Sequence, residues 1–517
     1  MTIKIVDLFA GPGGLGEGFS KFGNGKAFKI LVSAEMESNA HETLRLRSFF
    51  RLIQDDPRAL RKYYEFCNYK EVKEPYDTHS KAAWIESGEE ARQIKLGDPI
   101  GNEELDLILN QKLRPEDLWV LIGGPPCQAY SKVGRSRNIG KADYRAEDDP
   151  RFYLYKEYFR VIKDRCPPVF VMENVEGILS AKVHGAKIFP NILNELSSPG
   201  TDASGKARLG YRIHSLVTDT VFEHGTKLES IDERDFIVKS EVFGIPQARH
   251  RVILLGIRTD IVTPFERLMA LPAADRVHVE HVIGDLPPVR SQLNKQQDSP
   301  MLWRNEVQKH LSELATDAKR KDKGRLSASL NVAANDVQHD LSHGSTRFPR
   351  ELDSKLKPRM ADWYLDSNLK VWLNHEARSH MTSDLRRYGY AATYAELHLR
   401  SPRGHEEFDL SGLAPNHANW KSGKFIDRFR VQRRSEPANT VTSHISKDGH
   451  NFIHYDPTQC RSLTVREAAR LQTFPDNYFF SGPRTLQFHQ VGNAVPPMLG
   501  NLIAKIVHQI LTKAIVN

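Results

Sequence analysis

Leu118-Trp119-Val120-Leu121-Ile122-Gly123-Gly124-Pro125-Pro126-Cys127-Gln128-Ala129-Tyr130-Ser131 is the stretch on which the fold of this 517-residue chain turns. Its apolar run, Trp119 to Ile122, is too short for a helix and has no polar alternation, which fits a strand buried on both faces of a parallel sheet. Gly123, Gly124, Pro125 and Pro126 stop the run and turn the chain. Cys127 therefore falls just past the carboxyl end of a strand, where open α/β sheets place ligands and chemistry. An arbitrary cysteine is best read as a small buried hydrophobe. Here the Pro-Pro, the following Gln128 and the strand-end position favour a nucleophile. A polar segment with Ser131, Gly134, Arg135, Ser136 and Arg137 follows.

Working outward to the N-terminus, Ile3 to Phe9 reads as a strand and Ala10 to Gly18 (AGPGGLGEG) as a glycine-rich turn opening a helix. Gly11, Gly13 and Gly16 fit G-x-G-x-x-G, and Glu35 follows a second strand, Lys29 to Ala34. Glycines let a backbone approach a nucleotide, and a carboxylate at that distance accepts from ribose hydroxyls. The pattern admits NAD, FAD or S-adenosylmethionine. Asp98, in LGDPI, offers a second acid at the end of a third strand, although an isolated Gly-Asp is more often a plain turn. Beyond Cys127, Tyr153 to Lys163 has helical periodicity. Val169 to Met172 is another buried strand, with Glu173 just past its end, placed for acid-base work, although an isolated carboxylate there is more often a surface turn residue. Residues 209–219 suggest a strand. Gln247-Ala248-Arg249-His250-Arg251 leads into the strand Val252 to Leu255. Arginines at i and i+2 on extended backbone point to one side, where they can grip a phosphate or polarise a carbonyl.

Length and composition set bounds on the rest. A chain of this size holds a large core and two domains. The formal charge of +8 and the pI near 9.1 suit an anionic partner, nucleic acid first. Cys67, Cys127, Cys166 and Cys460 are the four cysteines and show no C-x-x-C spacing, against a zinc site or disulfide framework and consistent with a reducing compartment. No signal-peptide layout or bilayer-length apolar run is present, so a soluble, cytoplasmic protein is expected. Residues 40–96 read as a mostly helical insertion. Residues 261–430 read as a loop-rich, basic second domain with Trp, Tyr and His among the cations, facing an anion. Near the end, Ser462 or Thr464 is a candidate N-cap, with Glu467 completing a capping box after Thr464. In the last helix Leu499, Leu502, Ile503, Ile506, Val507, Ile510 and Leu511 share one face, which covers the sheet.

Together these pieces resemble the DNA (cytosine-5) methyltransferases of the prokaryotic restriction-modification type. DLFAGPGG is similar to the family's first motif, GGPPCQAYS to its catalytic motif, ENVEG to its catalytic glutamate motif and QARHR to its paired-arginine motif. LTVREAARLQTFPD and QVGNAVPP resemble its last two motifs. The likeness covers most of the chain outside residues 40–96 and 290–370. It departs from the family pattern where a long insertion precedes Asp98 and Pro99 follows it, and in a longer loop after Cys127.

The resemblance implies an α/β fold: a Rossmann-like S-adenosylmethionine-dependent methyltransferase domain with a mixed, mostly parallel sheet, plus an inserted smaller target-recognition domain. Residues 1–260 would form the catalytic domain, 261–430 the recognition domain and insertions, and 431–517 a C-terminal part folding back on the N-terminal part. Carried over, Cys127 is the nucleophile, Glu173 acts at cytosine N3 and Arg251 contacts the cytosine carbonyl, with Arg249 and Gln128 in support. For S-adenosylmethionine, Phe9, Gly11 and Gly13 form the turn, Glu35 takes the ribose, Met36 lies against the adenine, Asp98 accepts from its amino group and Leu154 packs nearby. Asn493 and Val495 lie by the methionine end. No metal is required. The expected partner is double-stranded DNA, with a cognate restriction endonuclease as a functional partner, no membrane, and a monomeric state. An RNA (cytosine-5) methyltransferase on the same scaffold and a non-catalytic DNA-binding homologue remain as alternatives. A dinucleotide oxidoreductase would have no use for Cys127, Glu173 and Arg251.

Overall fold

The computed structural model describes residues 2–126, 154–183, 185–198, 200–201, 208–262, 264–268, 275–295, 297–350, 356, 358–416, 420 and 427–513. Among these, a nine-stranded sheet forms the centre. Its strands are β1 (Ile3–Leu8), β2 (Phe28–Glu35), β3 (Ala91–Gln93), β4 (Trp119–Gly123), β5 (Val169–Val175), β6 (Tyr211–His214), β7 (Val221–Phe222), β8 (Ile237–Lys239) and β9 (His250–Arg258). The order is β3-β2-β1-β4-β5-β9-β6-β7, with β8 also on β9. From β3 to β5 every pairing is parallel, while β9 runs antiparallel to β5 and to β6. This is a mixed α/β sheet of the Rossmann-like kind.

The core strands are apolar on both faces because helices cover both. Ile3 and Ile5 of β1, Val120 and Ile122 of β4, and Val169 and Val171 of β5 join one core. Their alternates Val6, Leu8, Leu121, Phe170 and Met172 join the other. On the first face lie α1 (Gly14–Lys21) and a C-terminal helix. The second face is covered by α5 (Pro99–Lys112), α6 (Tyr155–Arg165) and α7 (Phe189–Ser197).

Residues 40–96 are helical in large part, as α2 (Ser38–Ile53), α3 (Pro57–Asn68) and α4 (Lys81–Glu90). The stretch also contributes β3, which extends the sheet parallel to β2 with Glu35 opposite Gln93. Two local expectations are corrected. Glu173 lies inside β5, opposite Ile253 of β9, rather than just past a strand's end. The antiparallel partner, invisible in the local sequence, prolongs the strand. Among its described residues the 261–430 stretch is more helical than expected: it contains α8 (Pro300–Arg320), α9 (Gly324–Asn335) and α10 (Thr382–His398), which share a separate core. Trp303, Val307, Leu311, Leu314, Ala315 and Ala318 form a buried stripe along α8 at helical spacing. The charged residues that dominate the composition lie on its other side. Between α9 and α10 runs a hairpin of β10 (Gly344–Pro349) and β11 (Val371–Glu376).

The C-terminal segment returns to the catalytic sheet through α11 (Val465–Leu471), α12 (Arg484–Asn493) and α13 (Pro497–Lys513). Thr464, not Ser462, caps α11, and Glu467 completes the capping box. On α13, Leu499, Ile503, Ile506, Val507, Ile510 and Leu511 are buried and Leu502 is partly buried. Burying such a face contributes on the order of 10 kcal/mol of transfer free energy. The segment just before it lies so close to α1 that a Cβ on Gly14 would stand 2.2 Å from the Val495 carbonyl oxygen. Only glycine permits that approach, and it brings the QVGNAVPP segment against the glycine-rich turn.

Candidate active site

The carboxyl ends of β1, β2, β4 and β5 open on one edge of the sheet. Parallel pairing sets Leu8 of β1 opposite Gly123, and Gly123 opposite Met172 of β5. Glu173 is thus the next residue along, level with Gly124. A Cβ on Gly124 would come within 3.1 Å of Glu173 Oε2, so the second glycine of GGPP makes room for the carboxylate. The Asn174 amide donates to the Pro125 carbonyl at 3.4 Å, which fastens the Pro-Pro turn to β5.

Arg251, on β9, brings its Nε to 2.9 Å from Glu173 Oε1. The contact is an ion pair without hydrogen-bond alignment: among the described residues, both atoms are buried and lack a hydrogen-bond partner. Buried polar atoms are rarely left so. A cation and a carboxylate paired at the strand ends can both turn to the polar edge of a ligand. Arg251 Nη1 donates to the His250 carbonyl at 2.7 Å, which orients the guanidinium. Burial pulls the Arg251 pKa down, with Glu173 opposing.

Arg249 is only 2 % exposed. Its Nη1 donates to the carbonyls of Val441 (2.9 Å) and Gly492 (3.4 Å). Burial, reinforced by the neighbouring Arg251, pulls its pKa well down. In the described contacts Arg249 fastens two other segments, at Val441 and Gly492, to the chain just before β9. Gln247 acts similarly. Its amide donates to the Leu471 carbonyl and to Gln472 Oε1, both at 3.1 Å, and its oxygen accepts from the Val441 N–H at 2.8 Å.

On the β1–β2 side, Phe9 takes a left-handed conformation with φ 56°, and Gly11 and Gly13 have φ 58° and 91°. A Cβ on Gly11 would meet no heavy atom within 4 Å, so space lies open above the turn. Glu35 accepts from the Gly11 N–H through Oε2 and from the Glu37 N–H through Oε1, both at 2.8 Å. Burial pushes the Glu35 carboxyl up, against the pull of those N–H groups. Each oxygen keeps a lone pair for a further donor. Met36 is 57 % exposed. Asp98 is the N-cap of α5, and its side chain makes no capping bond. Leu154 packs on Gly97 beside it, 2.9 Å from where a Cβ would be. Asn493 ends α12 in solvent near His489, and Val495 is buried against α1. The carboxylate acceptors and the open turn fit a ligand with a diol and an adenine-like ring.

Cys127 and Gln128 lie outside the described residues, one and two positions past Pro126. The other thiols are elsewhere. Cys67 is buried on α3, and burial pushes its pKa up to about 12. Cys460 is buried in the helical core of 300–395 and is likewise pushed up. Cys166 precedes β5, at the opposite end of the sheet from Glu173.

The LTVREAARLQTFPD segment held more than its N-cap signature. Arg461, Arg466 and Arg470 are all fully buried. Arg461 pairs with Glu467 through both terminal nitrogens, at 2.8 and 2.7 Å. Arg466 donates to the carbonyls of Leu373, Pro475 and Tyr478. Arg470 pairs with Asp285 and Asp476. These arginines tie the hairpin and residues 282–289 to the catalytic sheet. No local sequence signal marks them as buried, because their partners are remote in the chain.

No described helix is long and apolar enough to cross a membrane, and no metal-binding cluster of His, Cys, Asp and Glu occurs among the described residues. The family model for C-5 cytosine-specific DNA methylases matches residues 99–509. The chain is 32% identical over 534 residues to the Type II methyltransferase M.Bpa9945I of Bacillus paralicheniformis, covering 98% of this chain and 99% of that one. It is 26% identical over 537 residues to the Type II methyltransferase M.AgeI of Thalassovita gelatinovora, covering 98% and 99%. A solved structure assigned as a DNA modification methyltransferase of an E. coli prophage shares the fold, with a TM-score of 0.54 at 19% identity and full coverage of both chains. With a match over most of its length and relatives aligned end to end, the chain belongs to the C-5 cytosine-specific DNA methylases and is a DNA (cytosine-5-)-methyltransferase of the restriction-modification type.

Proposed function

We propose that this enzyme transfers a methyl group from S-adenosylmethionine to C5 of a cytosine flipped out of a specific short duplex sequence, through a covalent adduct between Cys127 and C6. The observation that carries the reading is the buried Glu173–Arg251 ion pair beside the strand turn that leads to Cys127.

Cytosine C5 is too weak a nucleophile to be methylated unaided. Addition of the Cys127 thiolate at C6 makes the ring an enamine and splits one hard step into two easier ones. Negative charge then develops toward N3 and O2. A protonated Glu173 would hold the proton at N3 and Arg251 would donate to O2, acting where the charge appears. The ion pair keeps both side chains in place until the base edge arrives. A free thiol has a pKa of about 8.5, so Cys127 would need cationic groups or backbone donors of the site to be a good thiolate. Loss of the C5 proton and release of the thiolate complete the exchange. Flipping the base costs roughly a few kcal/mol, offset by contacts to the extruded base and the gapped duplex. Gln128 would support that arrangement.

S-adenosylmethionine, when bound, supplies an electrophilic methyl on a sulfonium. Glu35 would accept from its ribose hydroxyls, Met36 and Leu154 flank the adenine, and Asp98 accepts from the adenine amino group. Phe9, Gly11 and Gly13 shape the turn, with Asn493 and Val495 near the methionine portion. The enzyme acts as a monomer on double-stranded DNA in the cytoplasm, as the modification partner of a restriction endonuclease or a related defence system.

Glu173→Gln is expected to lower turnover by roughly 10²-fold, within the range for a lost acid-base group. S-adenosylmethionine affinity, measured by calorimetry, should stay within about twofold. An unchanged rate would leave Glu173 a packing residue of β5 and refute its role at N3.

A further inference from the structure

The two stretches that the family resemblance leaves out, residues 40–96 and 290–370, meet each other. Helix α3 packs Ala59, Tyr63, Tyr64 and Cys67 against Leu369, Val371 and Leu373, a core separate from those of the sheet and the helical bundle. Polar contacts fix the register. The Tyr64 hydroxyl donates to Asp366 Oδ2 at 2.5 Å. Asn68 donates to the Asn368 carbonyl at 3.0 Å and accepts from the Lys370 N–H at 2.8 Å. From β10, Arg347 reaches the carboxyl end of α3, donating through Nε to the Cys67 carbonyl at 3.0 Å and through Nη2 to that of Phe66 at 3.0 Å. Its guanidinium also lies over the Phe66 and Phe479 rings. A cation at a helix C-terminus is favourably placed against the helix dipole.

The other end of this unit lies at the cofactor side. Helix α2 is capped by Glu37, whose N–H is held by Glu35, and its 16 residues span about 24 Å. Along it, Arg47 pairs with Glu17 of α1 and donates to Asn477, which in turn donates to Asp366 at 2.7 Å. Polar contacts therefore run unbroken from the helix behind the glycine turn to the foot of the hairpin. The hairpin joins α9 to α10 in the chain, so its position sets where the two helices leave the sheet.

We infer that α3, held through Tyr64 and Arg347, is a strut that positions the α8–α9–α10 bundle for reading DNA sequence. This rests on the function proposed above. Residues of the strut need not touch DNA. They set where the recognising surface stands, and a small displacement there weakens base contacts while leaving phosphate contacts in place.

The test compares wild type with Tyr64→Phe, Arg347→Ala and Arg347→Lys. On the cognate duplex, Arg347→Ala should raise KM for DNA about 10-fold and lower the preference for the cognate site over a single-base variant by a similar factor. The kcat at saturating DNA and the affinity for S-adenosylmethionine should hold. Tyr64→Phe should do the same more mildly, and Arg347→Lys should recover part of the loss. A fall in kcat with KM and preference unchanged would mean a merely structural contact and overturn the proposal. Hydrogen exchange without DNA provides an arm independent of catalysis. Faster exchange in residues 371–376 and 382–398 of Arg347→Ala supports the strut, and unchanged exchange overturns it. A wild-type chain that methylates no duplex would refute the functional reading, while the exchange arm still decides the strut.

Discussion

Cys127→Ser is expected to abolish methyl transfer, by roughly 10⁴-fold or more, with DNA and cofactor binding retained. A serine hydroxyl at neutral pH is a far weaker nucleophile than a thiolate. Removing a covalent nucleophile typically costs several orders of magnitude, because the other groups stabilise charge that then never forms. The described part of the site gives this prediction its direction. Glu173 and Arg251 stand next to the turn that leads into Cys127, while Cys67 and Cys460 are buried elsewhere and Cys166 lies at the far end of the sheet. Single-turnover assays with labelled cofactor, alongside gel-shift and calorimetric binding, separate the two quantities. Transfer persisting at about a tenth of the wild-type rate would remove Cys127 from the mechanism.

Glu467→Ala is expected to destabilise the fold by about 3–5 kcal/mol. Two effects overlap at this residue, and their sizes differ. Losing the capping box alone costs about 1 kcal/mol. Glu467 also compensates a buried cation: it is 1 % exposed and takes both terminal nitrogens of Arg461. Burial pushes its carboxyl up, but Arg461 outweighs that and holds it well below the usual carboxylate range. Removing the carboxylate strands the guanidinium in the interior, and this is the larger of the two effects. The comparison with Thr464→Ala, which removes the cap and leaves the ion pair, is decisive. Urea unfolding should show a loss several times greater for Glu467→Ala. Equal losses would reduce Glu467 to a capping residue.

How much of this was legible before the structure depends on where each partner sits. Strands β1, β4 and β5 are spelled as apolar runs because both faces are covered, and glycine or proline marks their ends. The Glu35 and Glu173 carboxylates were visible for the same reason, since they follow such runs. The extension of β5 through Glu173 was not visible, because it depends on pairing with β9, far along the chain. The α8–α9–α10 bundle was masked by composition. Lys309, Lys319, Arg320 and Lys321 draw attention to charge, while the stripe from Trp303 to Ala318 is spread along successive turns of the helix. Buried Arg461, Arg466 and Arg470 read as surface cations until their carbonyl and carboxylate partners are seen. Docking of α3 on β11 joins residues remote from each other in the chain, and no periodicity records it.

The most direct test of the proposed chemistry is to incubate the purified enzyme with S-adenosylmethionine and a duplex of mixed sequence, then map 5-methylcytosine by bisulfite sequencing. The expected result is methylation at one cytosine within one short motif, on duplex DNA, and none with Cys127→Ser. Methylation absent from DNA with cofactor binding intact, or scattered over cytosines without regard to sequence, would contradict it.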